Sequence, residues 1–459
     1  MRRLRHVLLS KETLSRTNLL LVALGIVSLL LYRHGLSAPG SRGIYWFIKL
    51  ALIQGALYLF AAWLILRAQR ARATLILIIA LAALFRLSIL FSPPYISDDI
   101  YRYIWDGRVQ AEGINPYRYI PADESLAHLR DEKIYPHINR RTYARTIYPP
   151  LAEMIYLCVT RVSESVVWMK TMMVCFEALT IWALMALLAS CGLPRQYVLI
   201  YAWHPLIVWE IAGSGHVDAA VIAFISLALL ARRRRLETVT GVALGCATLI
   251  KLFPIVLFPA LYRRWGWRMP VAFASTILIA YLPYLSVGPQ GALGFLPGYA
   301  EEEGIQSGER FFMLSMARRL LDGVEVPGAA FLIFSLLLMS AIAVWFLWKQ
   351  ERAETSYLVR SFILAAVFTI LLSPRYPWYF TWLVPFLCFA PFAPIFFLTT
   401  ASFVLYVLWF GDTPEQVFVA HAFLYLPFAI LLALAFWMKR LNPVRGRARS
   451  DLSDFLKDV

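Results

Sequence analysis

The segment Ser97-Asp98-Asp99-Ile100-Tyr101-Arg102-Tyr103-Ile104-Trp105-Asp106-Gly107 places two adjacent carboxyl groups just past the end of a long apolar run. On a helix beginning here, Asp99, Tyr103 and Asp106 share one face, so a carboxylate sits at a water–lipid boundary beside aromatic side chains such as Trp105. Partial desolvation raises the pKa of such a carboxylate and suits it to take a proton from a hydroxyl. The same residues admit a plainer reading, with Ser97 or Asp98 as a helix N-cap and Asp99 favoured by the positive end of the helix dipole. Lys251, in Thr248-Leu249-Ile250-Lys251-Leu252-Phe253-Pro254, interrupts an apolar run with a charge. An intramembrane charge is expensive unless it is paired or faces a cavity, the alternative being a side chain that snorkels to an interface. Gly213 to Asp218 is a polar turn from which His216 and Asp218 can reach a shared cavity, or simply cap the run that follows. Arg375 at the end of another run can clamp a phosphate or anchor at the interface. Glu177 lies mid-run with Lys170 two turns earlier on nearly the same face, which reads as a buried structural pair ahead of direct chemistry. Arg86, near the end of its run, can snorkel or meet a lipid phosphate.

The elements that hold these residues are membrane spans. Of the 459 residues, 60% are hydrophobic and 16% charged, whereas soluble domains carry about 45–50% and about 25%, so a soluble core could not bury this chain. Apolar runs lie near 17–32, 44–66, 73–91, 166–190, 196–212, 217–231, 268–286, 328–348, 357–373, 378–390, 395–410 and 416–438, about twelve spans in a single all-α polytopic membrane domain over 17–438. The five cysteines have no spacing that suits a metal or a disulfide framework and read as small core residues. The net charge of +16 fits cytoplasmic loops and lipid phosphates better than nucleic acid. The basic start, residues 1–16, reads as a retained cytoplasmic anchor, because no small-residue cleavage site follows the first run.

With the N-terminus in the cytoplasm, Arg67, Arg70, Arg72, Arg232 to Arg235, Lys349, Arg352, Arg360 and the tail 439–459 all fall inside, as the positive-inside rule asks. Arg263, Arg264 and Arg268 join them only if 239–262 enters and returns. That segment is therefore predicted as a re-entrant hairpin with Lys251 at its tip. Two polar stretches, 92–150 and 287–327, then face outward. The first is too long and too aromatic for a linker; it holds an amphipathic helix from Ile100 to Ala111 and turn signals at Asn115-Pro116, Pro136 and Tyr148-Pro149-Pro150.

Asp99 followed four residues later by Tyr103, then Gly107-Arg108, Gly113-Ile114-Asn115-Pro116-Tyr117 and Tyr148-Pro149-Pro150-Leu151, resembles the first outer loop of GT-C superfamily glycosyltransferases. Within that superfamily it is most similar to the polyprenyl-phosphomannose-dependent mannosyltransferases of bacteria. Three further segments are similar in the same order. His204-Pro205-Leu206 through Gly213-Ser214-Gly215-His216-Val217-Asp218 matches the family's Asn-Pro and Gly-Gly-x-His-Asn-Asp stretch, with His204 and Val217 in place of the two Asn residues; Lys251 has its context, and Ser373-Pro374-Arg375-Tyr376-Pro377-Trp378-Tyr379 matches a Pro-Trp-Tyr segment.

The resemblance implies a GT-C-like bundle at the cell (inner) membrane, with the site on the extracytoplasmic face. It implies Asp99 as catalytic base, with Asp98 as a competing acid beside it, and an inverting transfer of a sugar, mannose by analogy, from a polyprenyl-phosphate donor to a lipid or glycan acceptor. Lys251, Arg375, Arg102 or Arg108 would then stabilise charge on the leaving phosphate, and Tyr103, Trp105, Tyr148, His216 and Asp218 would line the substrate. No Gly-rich phosphate loop is present, which argues against a nucleotide-sugar donor. No cofactor is implied, although Asp98 and Asp99 could share a divalent metal. The rival readings are a transporter or flippase for a lipid-linked glycan, and a noncatalytic partner in envelope glycan assembly. The absence of a visible repeat and the large ordered loop count against a secondary transporter.

Overall fold

A computed structural model describes residues 16–36, 41–94, 96–305, 307–321, 326–349 and 353–441, and these are helical with no strand among them. The basic segment before Arg16, Arg352 and the tail beyond residue 441 lie outside the described residues. The longer helices are α1 (Arg16–Gly35), α2 (Ser41–Arg67), α3 (Arg72–Leu90), α4 (Asp99–Ala111), α5 (Pro150–Thr160), α6 (Val166–Ser190), α7 (Asp218–Arg233), α8 (Glu237–Thr248), α9 (Arg268–Tyr281), α10 (Gly328–Trp348), α11 (Ser356–Leu372), α12 (Ala393–Ala401) and α13 (Pro414–Leu441). Among the described residues, eight segments are long and apolar enough to cross a bilayer. The chain is an all-α polytopic membrane protein.

The remaining apolar runs are shorter or broken, for two reasons. Residues 195–213 carry Pro205 and 377–387 carry Pro377 and Pro385, which remove ladder hydrogen bonds, so these runs fold as alternating 3-10, α and π turns. They also form the centre: 198–222 is buried almost without interruption and α7 is buried on nearly every side, whereas α9 and α10 turn most of their apolar surface outward.

The hairpin is visible in helix directions. From Arg233 the chain turns into α8, climbs to Lys251, and descends through the 3-10 turn Phe253–Leu257 and the short helix Phe258–Leu261. Arg263 and Gly266 then lie beside Glu237, at the start of α8. α9 therefore rises parallel to α8, with Gly241 against Met269 and Ala272, and Gly245 against Thr276. A Cβ at Gly241 would stand 2.3 Å from the Met269 carbonyl oxygen. Gly241→Ala is accordingly expected to lower stability by about 1–3 kcal/mol through overpacking, read as a drop in the thermal midpoint of the protein in detergent.

Polar contacts sort the helix ends into two sets. At one end Gln196 bonds the carbonyls of Ala68 and Gln69, Arg233 donates to the Ser190 carbonyl at 2.8 Å, Arg233 and Arg235 hold Glu354, and Arg360 donates to the Lys349 carbonyl. This end gathers the arginines of 67–72, 232–235 and 263–268. The opposite end carries the stretch 92–150, which is folded as expected: α4 packs on α5, and Ile100, Tyr103, Ile104 and Val109 are buried. The second polar stretch lies against it, through Phe295 N–H to the Thr146 carbonyl at 2.9 Å and Arg140 to Glu302 at 2.6 Å.

Two expectations about buried polar groups change. Glu177 pairs with Arg86 of α3 and not with Lys170, because seven residues of helix separate Lys170 from it by about 10 Å. Arg86 is buried and does not snorkel, and the Lys170 ammonium instead donates to the carbonyls of Ile89 and Ser92 at the open end of α3. Of the cysteines only Cys388 is buried, while Cys158 and Cys175 lie on the outer surface of the bundle.

Candidate active site

α4 begins where the chain leaves α3, and its first turn aims two carboxylates inward. Ser97 Oγ accepts the Asp99 N–H at 3.3 Å, whereas the Asp98 side chain makes no cap. Both carboxylates are instead held by Asn139, whose amide nitrogen donates to Asp99 Oδ1 at 2.7 Å and to Asp98 Oδ1 at 3.0 Å. Asp98 is open to solvent on its outer side, yet the protein around it pushes its carboxyl above the usual range, the Asp99 charge adds to this, and the Asn139 hydrogen bond opposes it.

Asp98 and Asp99 line a polar cavity of about 300 Å³ whose other walls include Arg140, Tyr148, Trp378 and Tyr379. Next to it is an apolar cavity of about 400 Å³, walled by Ile250, Phe253, Val256, Phe368 and Leu372, with Arg310 and Arg375 on its rim. Lys251, Tyr148, Tyr299 and Tyr379 border both. Lys251 Nζ donates to Asp218 Oδ2 at 2.6 Å and sits 5.1 Å over the Tyr379 ring, so the charge is both paired and cavity-facing. Asp218 opens α7, where the helix dipole also favours its charge. Tyr379 is fixed by a 2.8 Å hydrogen bond between its hydroxyl and that of Tyr299.

The backbone geometry of the His216 turn is specific. The π-helical turn Val208–Gly213 is closed by Gly215 at φ +80°, a left-handed conformation suited to glycine, and a Cβ there would stand 2.5 Å from Ile100. His216 thereby lies beneath the cavity wall, stacked on Trp378 at 4.4 Å with Nδ1 3.9 Å from Asp99 Oδ2.

Asp98, Asp99, Tyr148, Lys251 and Arg375 thus border one connected space, and His216 and Asp218 stand directly behind its wall. Arg375 does so already bound to Asp412 at 2.7 Å. The other expected residues do not line the two large cavities. Arg102 is buried against Asp106 at 2.8 Å and the Ala144 carbonyl, and Arg108 is held by Asp131, Glu164 and the Leu129 carbonyl. Tyr103 is buried in a stack with Tyr156, and Trp105 lies against Tyr135. Arg102 also borders a small cleft with Asp99 and Asn139, and Tyr103 meets Tyr148 of the cavity wall edge-on at 5.2 Å. Asn139, Arg140, Tyr299 and Arg310 are not marked by any motif, because each reaches the site from one of the two polar stretches, whose fold no local pattern fixes.

Residues 19–266, over half of the chain, match the family model described as "Alpha-(1->6)-mannopyranosyltransferase, N-terminal domain". The matched stretch holds Asp99, His216 and Lys251 and stops short of Arg310 and Trp378. No curated protein and no solved structure matches the chain.

Proposed function

Because the chain belongs to this alpha-(1->6)-mannopyranosyltransferase family, and so is a membrane-embedded glycosyltransferase, we propose that it moves mannose from a polyprenyl-phosphate donor to a lipid or glycan acceptor on the extracytoplasmic face. The observation that carries this reading is the junction of the two cavities at Lys251. The polar one suits a sugar and presents Asp99, and the apolar one suits a lipid tail. The donor phosphate then lies at their border, where Lys251, with Arg310 and Arg375 at the rim, offsets charge on the departing oxygen. Asp99 takes the proton of the acceptor hydroxyl as that oxygen attacks the anomeric carbon and the bond to phosphate breaks. Such a displacement inverts the centre, so an α-linked product requires a β-linked sugar phosphate. The clustering of arginines at the opposite end supports the extracytoplasmic face.

The test is transfer by the purified protein in proteoliposomes supplied with radiolabelled polyprenyl-phosphate mannose and candidate acceptors. Labelled product is expected with the lipid donor and not with a nucleotide sugar. Translocation of lipid-linked glycan without transfer would overturn the reading in favour of a flippase. Full activity is expected in excess chelator, because the Asn139 amide already occupies the position between Asp98 and Asp99 where a cation would bridge them.

The carboxylate pair also gives a pH signature. Asp98, pushed above the ordinary carboxylate range by the protein around it and by the Asp99 charge, takes up a proton as pH falls towards that range, and this changes the charge at the cavity. The acid limb of kcat/KM is therefore expected to begin above the ordinary carboxylate range in the wild type and to move to lower pH in Asp98→Asn. An unmoved limb would uncouple Asp98 from the base.

A further inference from the structure

Glu210 sits in the π-helical turn and is fully buried behind the polar cavity. Its Oε1 accepts the Tyr406 hydroxyl at 2.6 Å. Its Oε2 has no hydrogen-bond partner among the described residues and lies 3.4 Å from His216 Nε2. Both His216 ring nitrogens are likewise unsatisfied, with Nδ1 directed at Asp99 Oδ2. Three buried polar atoms left open in one line are costly unless they exchange a proton or tighten on substrate binding. The π turn is what sets this alignment: its extra residue puts the Glu210 carbonyl on the His216 N–H at 3.0 Å and folds the two side chains toward each other.

We propose that His216 and Glu210 act as a proton relay behind Asp99, a reading that rests on Asp99 being the base. His216 and Glu210 touch no substrate and are positioning residues. In this relay Nε2 carries a proton towards Glu210 and Nδ1 turns its lone pair towards Asp99. During transfer the acceptor O–H breaks, its oxygen bonds the anomeric carbon, and the carbon–oxygen bond to phosphate breaks. The proton passes to Asp99 and from there to Nδ1, leaving a carboxylate at Asp99 and an imidazolium between two carboxylates. When products leave, the proton returns through Asp99 to water. Trp378 covers the imidazole face, so the relay is screened from bulk solvent during the step.

The charges around His216 favour this. Asp99 faces it from α4, with Asp98 beside Asp99, and Glu210 faces it from the π turn, while Lys251 neutralises Asp218. Arg140 stands beside Asp99 across the cavity, and the Lys170 stem passes Gly215 with its ammonium turned away to the Ile89 and Ser92 carbonyls. Tyr406 fixes Glu210 by donating to it.

The test compares His216→Gln, Glu210→Gln and Asp99→Asn in the proteoliposome assay, with the pH profile of kcat. Relay loss is expected to lower kcat by about 10- to 100-fold, less than loss of the base itself, with donor KM within about two-fold and the acid limb of the kcat profile displaced. Asp99→Asn combined with His216→Gln is expected to be no slower than Asp99→Asn alone. An inactive Asp99→Asn beside a His216→Gln of wild-type kcat and pH profile would overturn the relay and leave the base in place. A lower kcat with the limb unmoved would also overturn it, as a structural role. An active Asp99→Asn would overturn the base reading first. Should His216→Gln fail to fold, the near-isosteric Glu210→Gln decides between the same outcomes.

Discussion

Asp99→Asn is expected to fold normally and to transfer mannose at least about a thousand-fold more slowly than the wild type, within the ~10²–10⁴ range for loss of a positioned general base. The fold should survive because Asn is nearly the same shape, and among the described residues the Asp99 side chain hydrogen-bonds the Asn139 amide alone, at a cavity wall. The rate should not survive, because an amide cannot accept the hydroxyl proton. Asp98 is not expected to take over, because it is the more solvent-exposed of the pair and the Asn139 amide already holds its carboxylate at 3.0 Å. Turnover of labelled donor by wild type and variant, with matched elution on size exclusion, checks both halves. Transfer near the wild-type rate by Asp99→Asn would remove the base from this residue.

The largest effect on stability is expected at Arg86. Its Nε donates to both Glu177 oxygens at 3.1 Å, and its Nη1 donates to the carbonyls of Ala82 and Ala202. Arg86 therefore ties α3, α6 and the broken central segment together at mid-depth. Arg86→Met leaves the buried Glu177 carboxylate without a counter-charge, a change worth about 3–5 kcal/mol. The variant is expected to accumulate poorly, or to unfold far below the wild type in detergent. The double variant Arg86→Met/Glu177→Leu should recover most of the loss, since removing both charges together leaves no unpaired ion. A stable Arg86→Met would show that the pair is not structural.

How much of this was legible in the sequence depended on range. The lipid-facing helices declare themselves by length and apolarity, and α4 does so by its amphipathic pattern and its position after α3. Lys251 was legible as a hairpin tip from the charge count on either side. Contacts between distant segments were not. The partner of Glu177 lies 91 positions away, whereas the helical neighbour Lys170 looked plausible only because periodicity says nothing of the next helix. Arg102 and Arg108 carry the charge a phosphate would need, but Asp106, Asp131 and Glu164 hold them outside the two large cavities, and no spacing rule reveals that. Asn139 reaches Asp99 from 40 positions further along the chain. The π turn at Glu210 was likewise hidden, because a single extra residue in a helix leaves the apolar pattern unchanged.

The two cavities have walls from both parts of the chain. Asp99, Tyr148 and Lys251 come from before residue 266, while Tyr299, Trp378 and Tyr379, with the rim arginines, come from after it. The N-terminal stretch that the family model matches is thus a unit of sequence but not of chemistry. It brings Asp99 with two cations, Arg140 and Lys251, and needs the later helices to shape the vessel around them. Change in the C-terminal part can alter which acceptor fits without touching the atoms that break and make bonds.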